Sequence, residues 1–295
     1  MDQVYVFKDL NPEKLEILKN KFEKFLIKNS QKNIFLIINT TQVRITCYNN
    51  GTCLLQGNEV NKAAEYIKKI LHLDNYEYSN KNIIGSDEVG TGDVFGPIVV
   101  CSVLVKPEQI SFLKQIGVKD SKKLSLHRIN EIISHIKDKI IYSIQILSPS
   151  KYNFLYKNYG FNNIKALLAL SHNKAILELF QKHKEQAIVI LDQFVSSKNY
   201  FHYLRNEKEV YKEIIFETKA ESKYLSVALA SILARRYFLK EMLNLSNEIG
   251  INLLLGAGVQ VDEQINQIYK KNKNLIYFQK IAKCNFKNIK KYFEV

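Results

Sequence analysis

The sequence predicts an α/β protein in which a mixed sheet is flanked by helices and preceded by a small α+β unit. Three observations carry this reading. From residue 82 to residue 217, apolar runs of strand length alternate with helical patterns, and the first two such runs follow each other closely. The first 75 residues instead group one helix, three consecutive strand patterns and a closing helix, in the order βαβββα. Residues 74–81 are polar and read as a linker, which divides the chain into an N-terminal unit at 1–75 and a larger unit at 82–295.

In chain order, residues 4–8 have the pattern of a short strand. Asn11 and Pro12 then open a helix, because Asn is a good N-cap and Pro suits the first helical position. Leu15, Leu18, Phe22 and Phe25 give that helix one apolar stripe. Residues 34–38, 42–48 and 52–56 read as strands, with Asn49-Asn50-Gly51 as a hairpin turn tolerant of positive φ. Residues 59–71 form the closing helix. In the second unit, residues 83–87, 97–105, 140–147, 187–192 and 213–217 read as strands. Residues 108–115, 125–137 and 151–182 read as helical, and the chain from Glu221 onward is mostly helical.

The 295 residues carry 43 Lys+Arg and 29 Asp+Glu, a net charge of +14, with 46% hydrophobic residues. That balance excludes a disordered tail, and no window approaches the ~20 apolar residues of a membrane span. The N-terminus lacks a basic segment followed by an apolar run, so a cytoplasmic protein is expected. Cys47, Cys53, Cys101 and Cys284 show no CxxC pair and are expected to be reduced. No heptad or other assembly pattern is present, which points to a monomer. Residues 1–80 account for +2 of the charge and residues 81–295 for +12. After Glu263 eight lysines alternate with aromatics such as Tyr269, Tyr277 and Phe286. This pattern is either a surface that tracks phosphates or a set of amphipathic helices with solvated lysines.

Several carboxylates stand at strand or helix ends. Asp87 and Glu88 close an apolar strand framed by Gly85, Gly90, Gly92 and Gly96. Neighbouring strand residues face opposite sides, so both acids reach one side only if the chain bends. Asp192 ends the apolar run 188–192, where open α/β sheets place their sites. Glu221 precedes a helix rich in Ala and Ser, which can pack closely on a sheet. Taken singly, a strand-terminal acid such as Asp192 is more often a turn former or N-cap, and Glu221 fits a first-turn acid favoured by the helix dipole. Asp262 reads as a helix N-cap. Clustered carboxylates without Cys or His ligands suit hard, oxygen-loving cations such as Mg²⁺. Two such ions roughly 3.5–4 Å apart can activate water and stabilise a leaving oxygen in phosphodiester hydrolysis.

The run Gly85-Ser86-Asp87-Glu88-Val89-Gly90-Thr91-Gly92-Asp93-Val94-Phe95-Gly96-Pro97 resembles the signature of the type 2 ribonucleases H. Gly-Thr-Gly at 90–92 is similar to the ribonuclease HIII branch, where the HII branch usually has Gly-Arg-Gly. Three further blocks match in order: Asp120-Ser121-Lys122-Lys123-Leu124, Leu191-Asp192-Gln193-Phe194, and Lys219-Ala220-Glu221-Ser222 running on to Arg235. Glu221 stands where HII enzymes usually have Asp. Leu239 stands at the later position where they have another Asp. The N-terminal βαβββα unit resembles the TATA-binding-protein-like domain of HIII enzymes.

The resemblance implies a ribonuclease H-like mixed five-stranded sheet flanked by helices, and an endonuclease that cuts the RNA strand of RNA–DNA hybrids. It implies a two-metal-ion reaction leaving 5′-phosphate and 3′-hydroxyl ends, with two Mg²⁺ or Mn²⁺ held by Asp87, Glu88, Asp192 and Glu221. It further implies that Gly90, Thr91 and Gly92 meet the ribose 2′-hydroxyl, and that Ser121, Lys122, Lys219 and Ser226 contact substrate. The N-terminal unit is expected to add contacts to the hybrid. Two blocks depart from the branch: Leu255-Gly256-Ala257 stands where Lys-Gly-Ala is common, and Asn285-Phe286-Lys287-Asn288-Ile289 where His-Phe-x-Asn-Thr is common. Two readings compete with hybrid cleavage: an HII-like enzyme that cuts at single ribonucleotides in DNA, and a non-catalytic hybrid binder. A P-loop is excluded because residues 85–96 lack its Gly-Lys-Ser/Thr ending.

Overall fold

The computed structural model describes residues 3–8, 10–71, 80–118, 124–158 and 163–293. The chain divides into two compact units, Met1–Ser79 and Asn80–Val295. The expected linker falls almost wholly on residues outside the described ones.

In the first unit, β1 (Gln3–Phe7), β2 (Leu26–Ile27), β3 (Ile34–Asn39), β4 (Val43–Tyr48) and β5 (Cys53–Gly57) form an antiparallel sheet of order β1-β5-β4-β3-β2. Helices α1 (Pro12–Lys21) and α2 (Val60–Ile70) accompany it. Asn11 caps α1 by accepting from the Lys14 N–H, as its side chain suggests. Leu15 and Leu18 enter the core, and full burial of such a side chain is worth about 1.5–3 kcal/mol. The order is βαββββα, one strand more than expected. α1 stops at Lys21, and Leu26–Ile27 pairs with Ile37–Ile38 at the sheet edge. A strand of two residues carries no periodic signal, while Phe22 and Phe25 mimic helical spacing. Phe25 is in fact exposed.

The cysteine expectation is also corrected. Cys47 and Cys53 are joined by a disulfide, while Cys101 and Cys284 are free and buried. The β4–β5 register sets Cys47 directly opposite Cys53 across the Asn49-Asn50-Gly51 turn. A spacing rule that looks for CxxC does not see this cross-strand pairing.

The second unit holds a mixed sheet of order β10-β9-β6-β7-β8. Its strands are β6 (Ile83–Val89), β7 (Ile98–Val105), β8 (Ile141–Leu147), β9 (Ile188–Asp192) and β10 (Ile214–Glu217). β6-β7-β8 is an antiparallel meander, and β9 and β10 run parallel to β6. Every residue of β7 is buried, because helices cover both faces. Val99, Cys101, Val103 and Val105 pack towards α8 (Leu225–Ile249). Ile98, Val100 and Leu104 pack towards α6 (Ile164–Lys182). The small residues Ala228, Ala230, Ser231 and Ala234 let α8 lie against β6 and β7.

The remaining helices are α3 (Ile110–Gln115), α4 (Leu126–Ile136), α5 (Pro149–Asn158), α7 (Ser197–Tyr203), α9 (Val259–Lys271), α10 (Leu275–Ile281) and α11 (Lys287–Lys290). The helical pattern expected at 151–182 is therefore two helices, and Asn163 caps the second through the Lys165 N–H. Among the described residues no helix is long and apolar enough to cross a membrane.

Candidate active site

β6 does not bend at its acids. Asp87 pairs with Cys101, Glu88 with Val100 and Val89 with Val99 in unbroken register. The alternation of the strand therefore holds, and the two acids face opposite sides. Asp87 points towards α8, where Ser231 hydrogen-bonds to it. Glu88 points towards α6, where its Oε2 lies 3.0 Å from Nε2 of His172.

Asp192 joins Asp87 on the α8 side. Ser86 pairs with Leu191 in the parallel β6–β9 ladder, so the next residues, Asp87 and Asp192, stand level. The Asp192 Oδ1 accepts from the Ala220 N–H at 2.8 Å. That N–H is presented by Lys219, whose φ of 54° is left-handed. A non-glycine residue there stores roughly 1 kcal/mol or more of strain. The turn leads directly into the short 3₁₀ segment Ala220–Ser222, which carries Glu221 to the N-terminal end of α8.

Asp87 is 7% exposed. Burial, and next the charge of Glu88, push its carboxyl up to about 8, with Asp192 adding to the rise. Hydrogen bonds from Ser231 and from the Glu88 N–H at 2.8 Å hold it back in part. A cation near these acids would relieve that repulsion, and oxygen donors without thiolates are those of a hard divalent ion. Among the described residues, no three His, Cys, Asp or Glu side chains are grouped closely enough to hold a metal ion by themselves. Mg²⁺ usually keeps several waters and binds through one or two carboxylates together with substrate phosphates.

The Gly-Thr-Gly loop follows. Gly90 has φ of +99°, and a Cβ there would stand 2.3 Å from the Pro97 carbonyl oxygen. Gly92 is exposed with nothing within 4 Å of such a Cβ, so a ligand can approach its backbone. Thr91 is half-buried and Lys219 is exposed. Ser226 is not brought to this surface: it is 2% exposed, and its hydroxyl lies beneath Gly85. Ser121 and Lys122 lie outside the described residues.

Two blocks far along the sequence brace this loop. The Val94 N–H donates to the Gly256 carbonyl at 3.0 Å, and the Gly256 N–H donates to Asp93 Oδ1 at 2.6 Å. The Gly96 N–H donates to the Ile281 carbonyl, and the Lys283 N–H to the Val94 carbonyl, both at 2.8 Å. Lys283 is fully buried, with Nζ donating to the Gly96 carbonyl at 2.7 Å. Burial lowers its ammonium to about 7, against the opposing charge of Asp93. Asn285, at the position of the branch's His, accepts from the Tyr152 hydroxyl at 2.9 Å. The departing C-terminal blocks thus act here chiefly through packing and backbone hydrogen bonds.

Sequence reasoning missed His172 and Lys283. The signal for His172 is visible afterwards, as a polar residue on the buried stripe of α6, four residues after Leu168 and four before Ile176. Lys283 is one of eight C-terminal lysines and has no local mark of burial.

A family model described as Ribonuclease HII matches residues 84–289, and one described as a domain of unknown function (DUF3378) matches residues 5–79. The chain is 49% identical to the ribonuclease HIII of Phytoplasma mali (strain AT), over 95% of each chain. It is 36% identical to the ribonuclease HIII of Streptococcus gordonii, over 96% of each. Among solved structures it is similar to Bst-RNase HIII in complex with Mn²⁺. The TM-score is 0.72 and the identity 30%, covering 99% of this chain and 98% of that one.

Proposed function

The chain belongs to the ribonuclease HII family and, within it, to the ribonuclease HIII branch, and on that premise we propose how its residues carry the reaction. It is a ribonuclease H, an endonuclease that hydrolyses the RNA strand of RNA–DNA hybrids, and it depends on a divalent cation. The carrying observation is that Asp87 and Asp192 stand level on the α8 side of the sheet, with Asp192 bonded to the turn that leads into Glu221 and Glu88 on the opposite face.

In this reading Asp87, Asp192 and Glu221 hold Mg²⁺ or Mn²⁺ from one side of β6 and Glu88 from the other. A pair of such ions, when bound, supplies the Lewis acidity that activates water and stabilises the leaving 3′-oxygen, giving 5′-phosphate and 3′-hydroxyl ends. The Asp192 carboxylate is oriented by the Ala220 N–H, so it meets its ligand without first losing rotamer freedom. The open flank of Gly92 admits the ribose, and a 2′-hydroxyl contact by the Gly90-Thr91-Gly92 backbone selects RNA. Lys219 is exposed beside Glu221 and takes a phosphate. Ser121 and Lys122 are assigned to phosphate by resemblance alone. Lysines of the second unit supply salt-dependent affinity, and the N-terminal unit adds contacts to the hybrid.

The test is Asp192→Asn, assayed on an end-labelled RNA–DNA hybrid with Mg²⁺ and with Mn²⁺, alongside a thermal melt. Loss of cleavage in a folded variant is expected. Retained cleavage would remove Asp192 from the set.

A further inference from the structure

We propose that His172 is a positioning residue of this active site: it holds Glu88 in one orientation and buttresses the turn that carries Asp192. The inference rests on the reading of Asp87, Glu88, Asp192 and Glu221 as the cation-binding set.

His172 projects from the middle of α6 and is fully buried. An imidazole placed there is costly unless both nitrogens are satisfied, and both are. Nε2 lies 3.0 Å from Glu88 Oε2 and Nδ1 lies 2.7 Å from Ser86 Oγ. Ser86 Oγ is in turn 2.8 Å from Ser102 Oγ and 3.2 Å from the Cys101 carbonyl. Ser86, Ser102 and Glu88 share the α6 side of the sheet, since Ser86 pairs with Ser102 across β6 and β7.

A carboxylate can only accept, so the ring meets Glu88 with Nε2–H as the donor. Ser86 Oγ, which also reaches the Cys101 carbonyl and Ser102, pairs the second ring nitrogen and fixes the plane of the ring. One oxygen of Glu88 is tied to the ring, and the other is left for a cation. Glu88 is only 13% exposed, so water competes little for this bond. The flat face of the same ring stacks on Phe194, with centroids 5.3 Å apart and planes at 16°. Phe194 follows Asp192 by two residues. One side chain therefore touches both strand ends that bear the acids.

Hydrogen-bonding partners of ligating side chains are typically worth about 10–100-fold in metal affinity or activity. The decisive variant is His172→Phe, which keeps the stack and removes the N–H. Mn²⁺ binding by titration calorimetry should weaken by about 10–100-fold, and kcat should fall while KM for the hybrid stays near the wild-type value. His172→Gln returns an N–H near the position of Nε2 and should recover most of the Mn²⁺ affinity. A folded His172→Phe that binds Mn²⁺ like the wild type overturns the proposal, as does a folded His172→Gln no better than His172→Phe. Should His172→Phe not fold, Ser86→Ala carries the same test: it removes the partner of Nδ1 but keeps the ring, and unchanged Mn²⁺ affinity overturns the proposal. Glu88→Gln, measured alongside, separates the two levels. If it retains Mn²⁺ affinity, Glu88 is not a ligand and the underlying reading fails too. If it weakens binding while His172→Phe does not, only the positioning role fails.

Discussion

Gly85 is the position where one added methyl group should do the most damage to the site. It lies in β6, two residues before Asp87, paired with Val103 on one side and Ile190 on the other. A Cβ at this position would stand 2.2 Å from the Val227 nitrogen, 2.3 Å from the Ser226 carbonyl carbon and 2.6 Å from Ser226 Oγ. Two of these three are backbone atoms of α8, which no rotamer change can move. Strand β6 is locked by ladders on both edges, so α8 has to withdraw, by about 1 Å, to reach ordinary contact. Overpacking of this kind costs about 1–3 kcal/mol. In a unit of this size the melting temperature should fall by about 2–4 °C for each kcal/mol.

The larger effect of Gly85→Ala falls on activity. The withdrawal carries Ser231 away from Asp87 and the N-terminal end of α8 away from Asp192. A displacement of about 1 Å at reacting groups costs on the order of 100-fold in rate. The assay is a thermal melt together with cleavage of a labelled hybrid at saturating Mn²⁺, below the melting range of both proteins. Gly92→Ala is the control for the melt, because its methyl meets nothing within 4 Å. A Gly85→Ala variant that melts and cleaves like the wild type would refute the close packing of α8 on β6 as the device that sets the site.

Two further predictions follow from strained and buried lysines. Burial holds Lys283 near 7 in the folded chain, against an ordinary value of 10.5. The unfolded chain therefore binds more protons between these values, and this group's contribution to stability rises with pH across that window and is least below pH 7. The melting temperature of the wild type minus that of Lys283→Met should grow as the pH is raised through that window, and a constant difference refutes the assignment. Lys219→Gly removes the left-handed strain, so it should melt no lower than the wild type. It should also lower the slope of log hybrid affinity against log salt by about 1, as loss of one phosphate contact does. A lower melting temperature counts against the strain, and an unchanged slope counts against the contact.

The strands of the second unit were legible in the sequence because each is a short apolar run that ends at a polar or glycine-rich break. Asp87 and Asp192 were visible as acids closing apolar runs and Glu221 as an acid ahead of an Ala- and Ser-rich helix, while their grouping as one set came from the resemblance. The Asn11 cap and the Asn49-Asn50-Gly51 turn depend on groups within a few residues. These features are set by side chains acting on their own backbone, and the sequence by itself determines them.

Tertiary structure decided the rest. Whether β6 bends to bring Asp87 and Glu88 to one face depends on the ladders to β7 and β9. Those ladders keep it straight and leave the two acids on opposite sides. The Cys47–Cys53 pairing depends on hairpin register, and the two-residue strand β2 exists only because β3 lies beside it. His172 meets Ser86 and Glu88 across 86 and 84 residues of chain, and Lys283 meets Gly96 across 187. Burial and hydrogen-bond completion are properties of the assembled interior, where a polar atom must find its partner in space. Sequence distance carries no information about that partner, which is why caps and turns could be read directly and the pairings of His172 and Lys283 could not.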